Sequence, residues 1–111
     1  MTKSKLIPVK EWVEFCGLFT NGNKGRLVTI SDIDERAMDN VLAKEMPLWA
    51  IDYDPIDKGD DIVVTLGENS MEFSHTIDAP VELWESRNEK GVVNQLRIID
   101  RSNNEYNLTF G

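Results

Sequence analysis

The sequence predicts a mainly β fold of the α+β class: an N-terminal helix packed on a six- or seven-stranded antiparallel β-meander, arranged as a curled sheet or small barrel. Three observations carry this expectation. Apolar residues recur at helical spacing only near the N-terminus. From Arg26 onward the period falls toward two and β-branched residues are enriched. Turn formers then arrive at short intervals, and 111 residues suit one domain, 1–111, with the meander over 26–111.

Pro8 opens the helix, since a first-turn residue needs no N–H partner. Val9, Trp12, Val13, Cys16 and Phe19 then form the expected apolar stripe of a helix over residues 8–19. Asn21, Gly22, Asn23 and Gly25 end it. Strands follow at 27–33 and 48–54, the second with Trp49, Ile51 and Tyr53 on one face. Residues 36–42 fit a short helix or an irregular strand equally.

Segments 61–67 and 71–78 alternate clearly and read as a hairpin turning at Gly67, Glu68, Asn69 and Ser70. Pro80 can start the strand 81–86, with Leu83 and Trp84 on opposite faces. A last hairpin pairs 92–100 with 105–110 around Arg101, Ser102, Asn103 and Asn104.

The formal charge of −8 is uneven: residues 1–26 carry five basic side chains against two acidic, and residues 27–111 carry seven against eighteen. An acidic surface repels phosphate backbones, so nucleic acid is not expected as a partner. No apolar run approaches the roughly 20 residues of a membrane helix, and no apolar signal-like stretch follows Lys5, so no membrane contact and a cytoplasmic protein are expected. Cys16, the single cysteine, cannot form an internal disulfide.

Few residues suggest chemistry. His75 is the one imidazole and shares a strand face with Met71, Phe73 and Ile77, which suits a core histidine better than a general base. Cys16 lies in the apolar stripe, where a thiol packs and does not react. Asp52, Asp54 and Asp57 form a weak metal candidate. Their spacing fails the calcium-loop pattern, since Ile56 and Asp57 fall where a ligand and a glycine belong, and a solvated turn is the plainer reading. Trp84, Trp49 and Tyr53, with His75, are the weak binding candidates, because aromatic side chains dominate contact hot spots. No phosphate loop or nucleophile elbow is present, and no catalytic residue or cofactor is expected.

Pro8 with Glu11 and Trp12, Gly25 before Leu27, Val28 and Thr29, and the run Met46, Pro47, Leu48 follow one another along the chain. The series continues through Leu66 and Gly67, then His75, Thr76 and Ile77 with Pro80 after them. In this order the chain resembles a family of short bacterial proteins known only as a domain of unknown function. The resemblance implies a stand-alone domain and no activity.

The expected function is a non-enzymatic binding or regulatory module whose acidic, partly aromatic β-surface meets a protein partner or a second copy of itself. Two rivals stand beside it. One is a ligand-binding barrel or small enzyme with His75 in a pocket, and the other is an acidic mimic of nucleic acid that occupies a basic protein.

Overall fold

The computed structural model describes residues 3–33 and 39–111. Among them, one helix, α1 (Trp12–Asn23), accompanies eight strands: β1 (Lys3–Leu6), β2 (Leu27–Ile33), β3 (Asp39–Asp54), β4 (Asp61–Leu66), β5 (Phe73–Asp78), β6 (Pro80–Arg87), β7 (Val93–Asp100) and β8 (Glu105–Phe110). All belong to one antiparallel sheet in the order β1-β6-β7-β8-β2-β3-β4-β5. Helix and meander are as expected, with eight strands instead of six or seven. β2 to β5 form one meander and β6 to β8 another, joined through β8 and β2. The sheet does not close into a barrel; β1 and β5 are its two edges.

The sheet is nevertheless strongly curled. β5 lies four strand spacings from β8, about 19 Å across a flat sheet. Yet the His75 and Tyr106 rings, one on each strand, are 5.4 Å apart between centroids. The concave face collects Val28, Ile30, Ile62, Val64, Leu66, Ile77, Leu96, Ile98 and Leu108, each essentially inaccessible to solvent. These are the inward positions of the predicted alternation, and their burial is the main stabilising term of the fold.

Helix α1 covers this face. A 3-10 turn over Val9–Glu11 precedes it, so the regular helix starts later than predicted and continues to Asn23. Trp12, Cys16 and Phe19 are its buried residues. Trp12 meets Tyr53 edge to face at 5.1 Å, and Phe19 meets Phe110 in the same manner at 5.3 Å. The expected stripe is too wide: Val9 and Val13 are 51% and 59% exposed, because the buried line of Trp12, Cys16 and Phe19 leaves Val13 at its margin.

β3 is the longest strand, at 16 residues, and takes part in two neighbourhoods. Up to Pro47 it pairs with β2, and from Leu48 it pairs with β4. Where β2 ends, the helix takes its place. Gly25 N–H donates to Leu48 O at 2.9 Å, and the Thr20 hydroxyl donates to Ile51 O and accepts from Ile51 N at 3.1 and 2.9 Å. Backbone groups that would otherwise be left without partners are thereby satisfied.

Register shifts interrupt β3. Glu45 sits at φ 49°, and its N–H donates to Thr29 Oγ1 at 3.1 Å. A further shift between Leu48 and Ala50 buries both Leu48 and Ile51. Trp49 therefore does not share an unbroken alternation with Ile51 and Tyr53, as the sequence predicted. The short-helix reading of 36–42 is also corrected where it can be seen: residues 39–42 are strand, and 34–38 lie outside the described residues.

At the β7–β8 turn, Asp100 is buried and its carboxylate accepts from Ser102 N, Asn104 N and Asn104 Nδ2 at 2.9, 2.9 and 3.1 Å. Asn103 supplies the left-handed residue at φ 68°. This turn fixes the register that places the outward side chains of β7 and β8 beside one another.

Candidate interaction face

On the convex side of the sheet, strand alternation directs Trp84 of β6 outward while Leu83 is buried on the concave side. Register then places Arg97 of β7 opposite Trp84, and Asn107 of β8 opposite Arg97. Leu6 of β1 pairs with Trp84 on its other side. The result is a row of large side chains running across four strands.

Arg97 lies with its guanidinium carbon 5.2 Å from the Trp84 ring centroid, a cation–π arrangement. The Trp84 indole N–H donates to Glu82 Oε1 at 2.9 Å, which fixes the ring. Beside this pair is a dimple of about 210 Å³ lined by Ser4, Ser86, Gln95, Glu105 and Asn107 together with Trp84 and Arg97. Its polar groups are largely engaged with one another. The Ser4 and Ser86 hydroxyls are 2.8 Å apart, Gln95 Nε2 donates to Asn107 Oδ1 at 2.9 Å, and Asn107 Nδ2 donates to Glu105 Oε2 at 3.1 Å.

The exception is Arg97. Its Nε is shielded from solvent and has no hydrogen-bond partner, and among the described residues its guanidinium forms no ion pair. Only Nε is sealed in this way; Nη1 and Nη2 are not enclosed, so water still reaches the outer edge of the guanidinium. The dimple is thus bordered by the outer edge of a guanidinium that no described residue engages.

The sequence-predicted candidates do not converge. Trp84 lines the dimple. Trp49 is half-buried on β3, with the Lys24 ammonium 4.5 Å above its ring. Tyr53 is committed to Trp12. Its hydroxyl pKa is raised, chiefly by burial and then by Asp60 and Asp57. His75 is half-buried, and its enclosed Nε2 has no hydrogen-bond partner. Asp52, Asp54 and Asp57 are all exposed, and among the described residues no group of three or more His, Cys, Asp or Glu is placed to hold a metal ion.

A wider depression of about 490 Å³ lies between the start of the helix and the turn after β3, lined by Val9, Val13, Tyr53, Pro55 and Ile56 with Lys10 and Asp57 at hand. Val9, Val13 and Ile56 are more than half exposed. The groove is larger than the dimple but lacks convergent polar groups, so it provides contact area without fixing an orientation.

Cys16 belongs to the core. It is 2% exposed, and burial, followed by the charge of Asp52, pushes its thiol from 9.0 up to about 12. In the unfolded chain the thiol gives up its proton first, so the unfolded state gains as pH rises from 9.0 toward about 12. Tyr106 shifts in the same direction, through burial and the neighbouring Asp100 and Asp32 charges. We therefore expect the urea midpoint to hold below pH 9.0 and fall steadily above it. Cys16→Ala is expected to flatten that fall. An unchanged slope in the variant removes Cys16 as its cause.

The chain belongs to a family of unknown function, DUF5335, which matches it over residues 3–111. No curated protein and no solved structure matches it significantly. No helix among the described residues is long and apolar enough to cross a membrane.

Proposed function

We propose that this chain is a non-enzymatic binding module of the bacterial cytoplasm that meets a protein partner through the convex face of its sheet, centred on Trp84 and Arg97. The observation that carries the reading is the half-buried Arg97 guanidinium, stacked on Trp84 and engaged by no acceptor among the described residues. Tryptophan and arginine are the residue types most enriched where binding energy concentrates, and here they are adjacent. Leu6, Ile33 and Ile99 on neighbouring outward positions give the mixed polar and apolar character of a protein-contact surface.

The absence of catalytic work is supported by the two groups best suited to it. The Cys16 thiol is buried and held protonated, and the His75 Nε2 is enclosed away from the depressions described above. The thiol also suits a reducing compartment, where an unpaired cysteine is stable.

Retention of bacterial proteins by the immobilised full-length chain tests the reading. Trp84→Ala and Arg97→Ala are each expected to weaken retention of a specific partner about thirtyfold, the effect of a 2 kcal/mol hot spot. Val13→Ala with Ile56→Ala, in the wider groove, should leave it intact. The reverse pattern would move the binding surface to the groove. Retention lost in high salt but indifferent to all four substitutions would favour the acidic-mimic reading, since surface charge attraction is screened.

A further inference from the structure

We infer that the group entering the dimple is a single carboxylate, presented by an aspartate or glutamate side chain of the partner. This rests on the convex face being the binding surface, and it adds the chemistry recognised there.

The argument begins with hydrogen-bond supply. Glu82 already accepts from the Trp84 indole, and Glu105 already accepts from Asn107. Neither forms an ion pair with Arg97. What the dimple lacks is a protein acceptor for the outer guanidinium nitrogens, Nη1 and Nη2, which unlike the enclosed Nε are open to an entering group. A carboxylate answers this best, since its two oxygens match the guanidinium fork and supply opposite charge to a partly desolvated cation. A peptide carbonyl offers one oxygen and no charge.

Charge and size then narrow the class. With Glu82 and Glu105 nearby, one cation stands among two anions, so an entering anion is opposed in proportion to its charge, and a singly charged carboxylate is opposed less than a doubly charged phosphate. The volume, about 210 Å³, lies below the 300–1,000 Å³ of ordinary small-molecule sites. It admits the end of one side chain and excludes a nucleotide. Its place on a broad sheet face, and not at the bottom of a cleft, suits a side chain projecting from a surface laid against it.

The test uses the full chain labelled with nitrogen-15, following the Arg97 Nε–H and Trp84 indole N–H resonances. Sodium acetate is the probe, compared with acetamide and with sodium phosphate at equal ionic strength. Both resonances are expected to move saturably with acetate, half-saturating about tenfold below either comparison compound. Arg97→Lys keeps the charge and loses the fork, so acetate affinity should fall about tenfold. Glu105→Gln removes a neighbouring negative charge and should tighten acetate about threefold.

Phosphate binding as tightly as acetate, or Arg97→Lys binding acetate as well as the parent, overturns the inference. If acetate fails to bind while Trp84 and Arg97 substitutions still abolish partner retention, the carboxylate falls and the binding face stands. If acetate binds but retention ignores those substitutions, the face is not the partner surface, and the inferred occupant falls with it.

Discussion

Replacing Trp12 by alanine is expected to lower the unfolding free energy by about 3–5 kcal/mol, read as a shift of the urea midpoint at unchanged slope. Trp12 is 1% exposed, the bulkiest of the fully buried side chains. Three parts of the molecule meet on it. Its ring packs edge to face on Tyr53 of β3, its indole N–H donates to Ile7 O at 2.8 Å, and Ile7 N–H in turn donates to Leu83 O on β6. The substitution therefore opens a cavity and strands a buried carbonyl at once. For a domain whose stability is typically about 5–15 kcal/mol, the variant is left close to unfolding. Trp12→Phe separates the two causes: it keeps most of the apolar contact and loses the hydrogen bond, at an expected cost of about 1–3 kcal/mol. A Trp12→Ala midpoint close to the parent's would mean that the helix does not cover the core as described.

The parts of this fold that were legible in the sequence are those in which alternation runs unbroken. β2 and β8 occupy the predicted 27–33 and 105–110: β8 alternates throughout at Tyr106, Leu108 and Phe110, β2 alternates through Val28 and Ile30, and no register shift separates the two strands. The β4–β5 and β7–β8 hairpins are found for the same reason, with turn residues at their tips. β1 escaped prediction because Lys3, Ser4 and Lys5 show no apolar period; its strand character comes from pairing with β6, including the Ser4–Ser86 hydroxyl contact. The first half of β3 escaped because its register shifts break the alternation on which such a prediction depends.

The site was half legible. The sequence singles out Trp84 only as a weak binding candidate on the face opposite Leu83, and the structure has it lining the dimple. Arg97 was not marked, since a lone arginine in an alternating strand reads as a solvated position. The available signal was the pairing of the β6–β7 hairpin, which sets Arg97 opposite Trp84. Strand faces can be read locally, but the partner across the ladder requires the register, and register shifts at Pro80–Glu82 and Ser86–Arg87 obscure it.

Gly67→Ala is the other large effect expected, a loss of at least about 3 kcal/mol, and it is confined to one end of the sheet. Gly67 is at φ +155°, and a Cβ there would overlap the Ser70 carbonyl oxygen and come within 2.9 Å of Glu72 N. Both neighbours are backbone, so no side chain can swing aside. The strain falls on two bonds that end β4: Gly67 N–H to Pro47 O and Glu72 N–H to Leu66 O, each 2.9 Å. Two other glycines calibrate it. Gly25, at φ +91° with open space around it, should lose only the left-handed penalty of about 1–2 kcal/mol on change to alanine. Gly17, within the helix and uncrowded, should gain about 0.5–1 kcal/mol. Urea midpoints in the order Gly17→Ala, parent, Gly25→Ala, Gly67→Ala check the series, and equal losses at 67 and 25 would show that the close approach does not fix the hairpin. Because β5 is an edge whose backbone ladder is formed with β4 alone, hydrogen exchange in Gly67→Ala should quicken along Phe73–Asp78 and stay slow in β6 to β8. Partner retention by the still-folded variant should then be unchanged, which separates the hairpin that completes the core from the strands that carry Trp84 and Arg97.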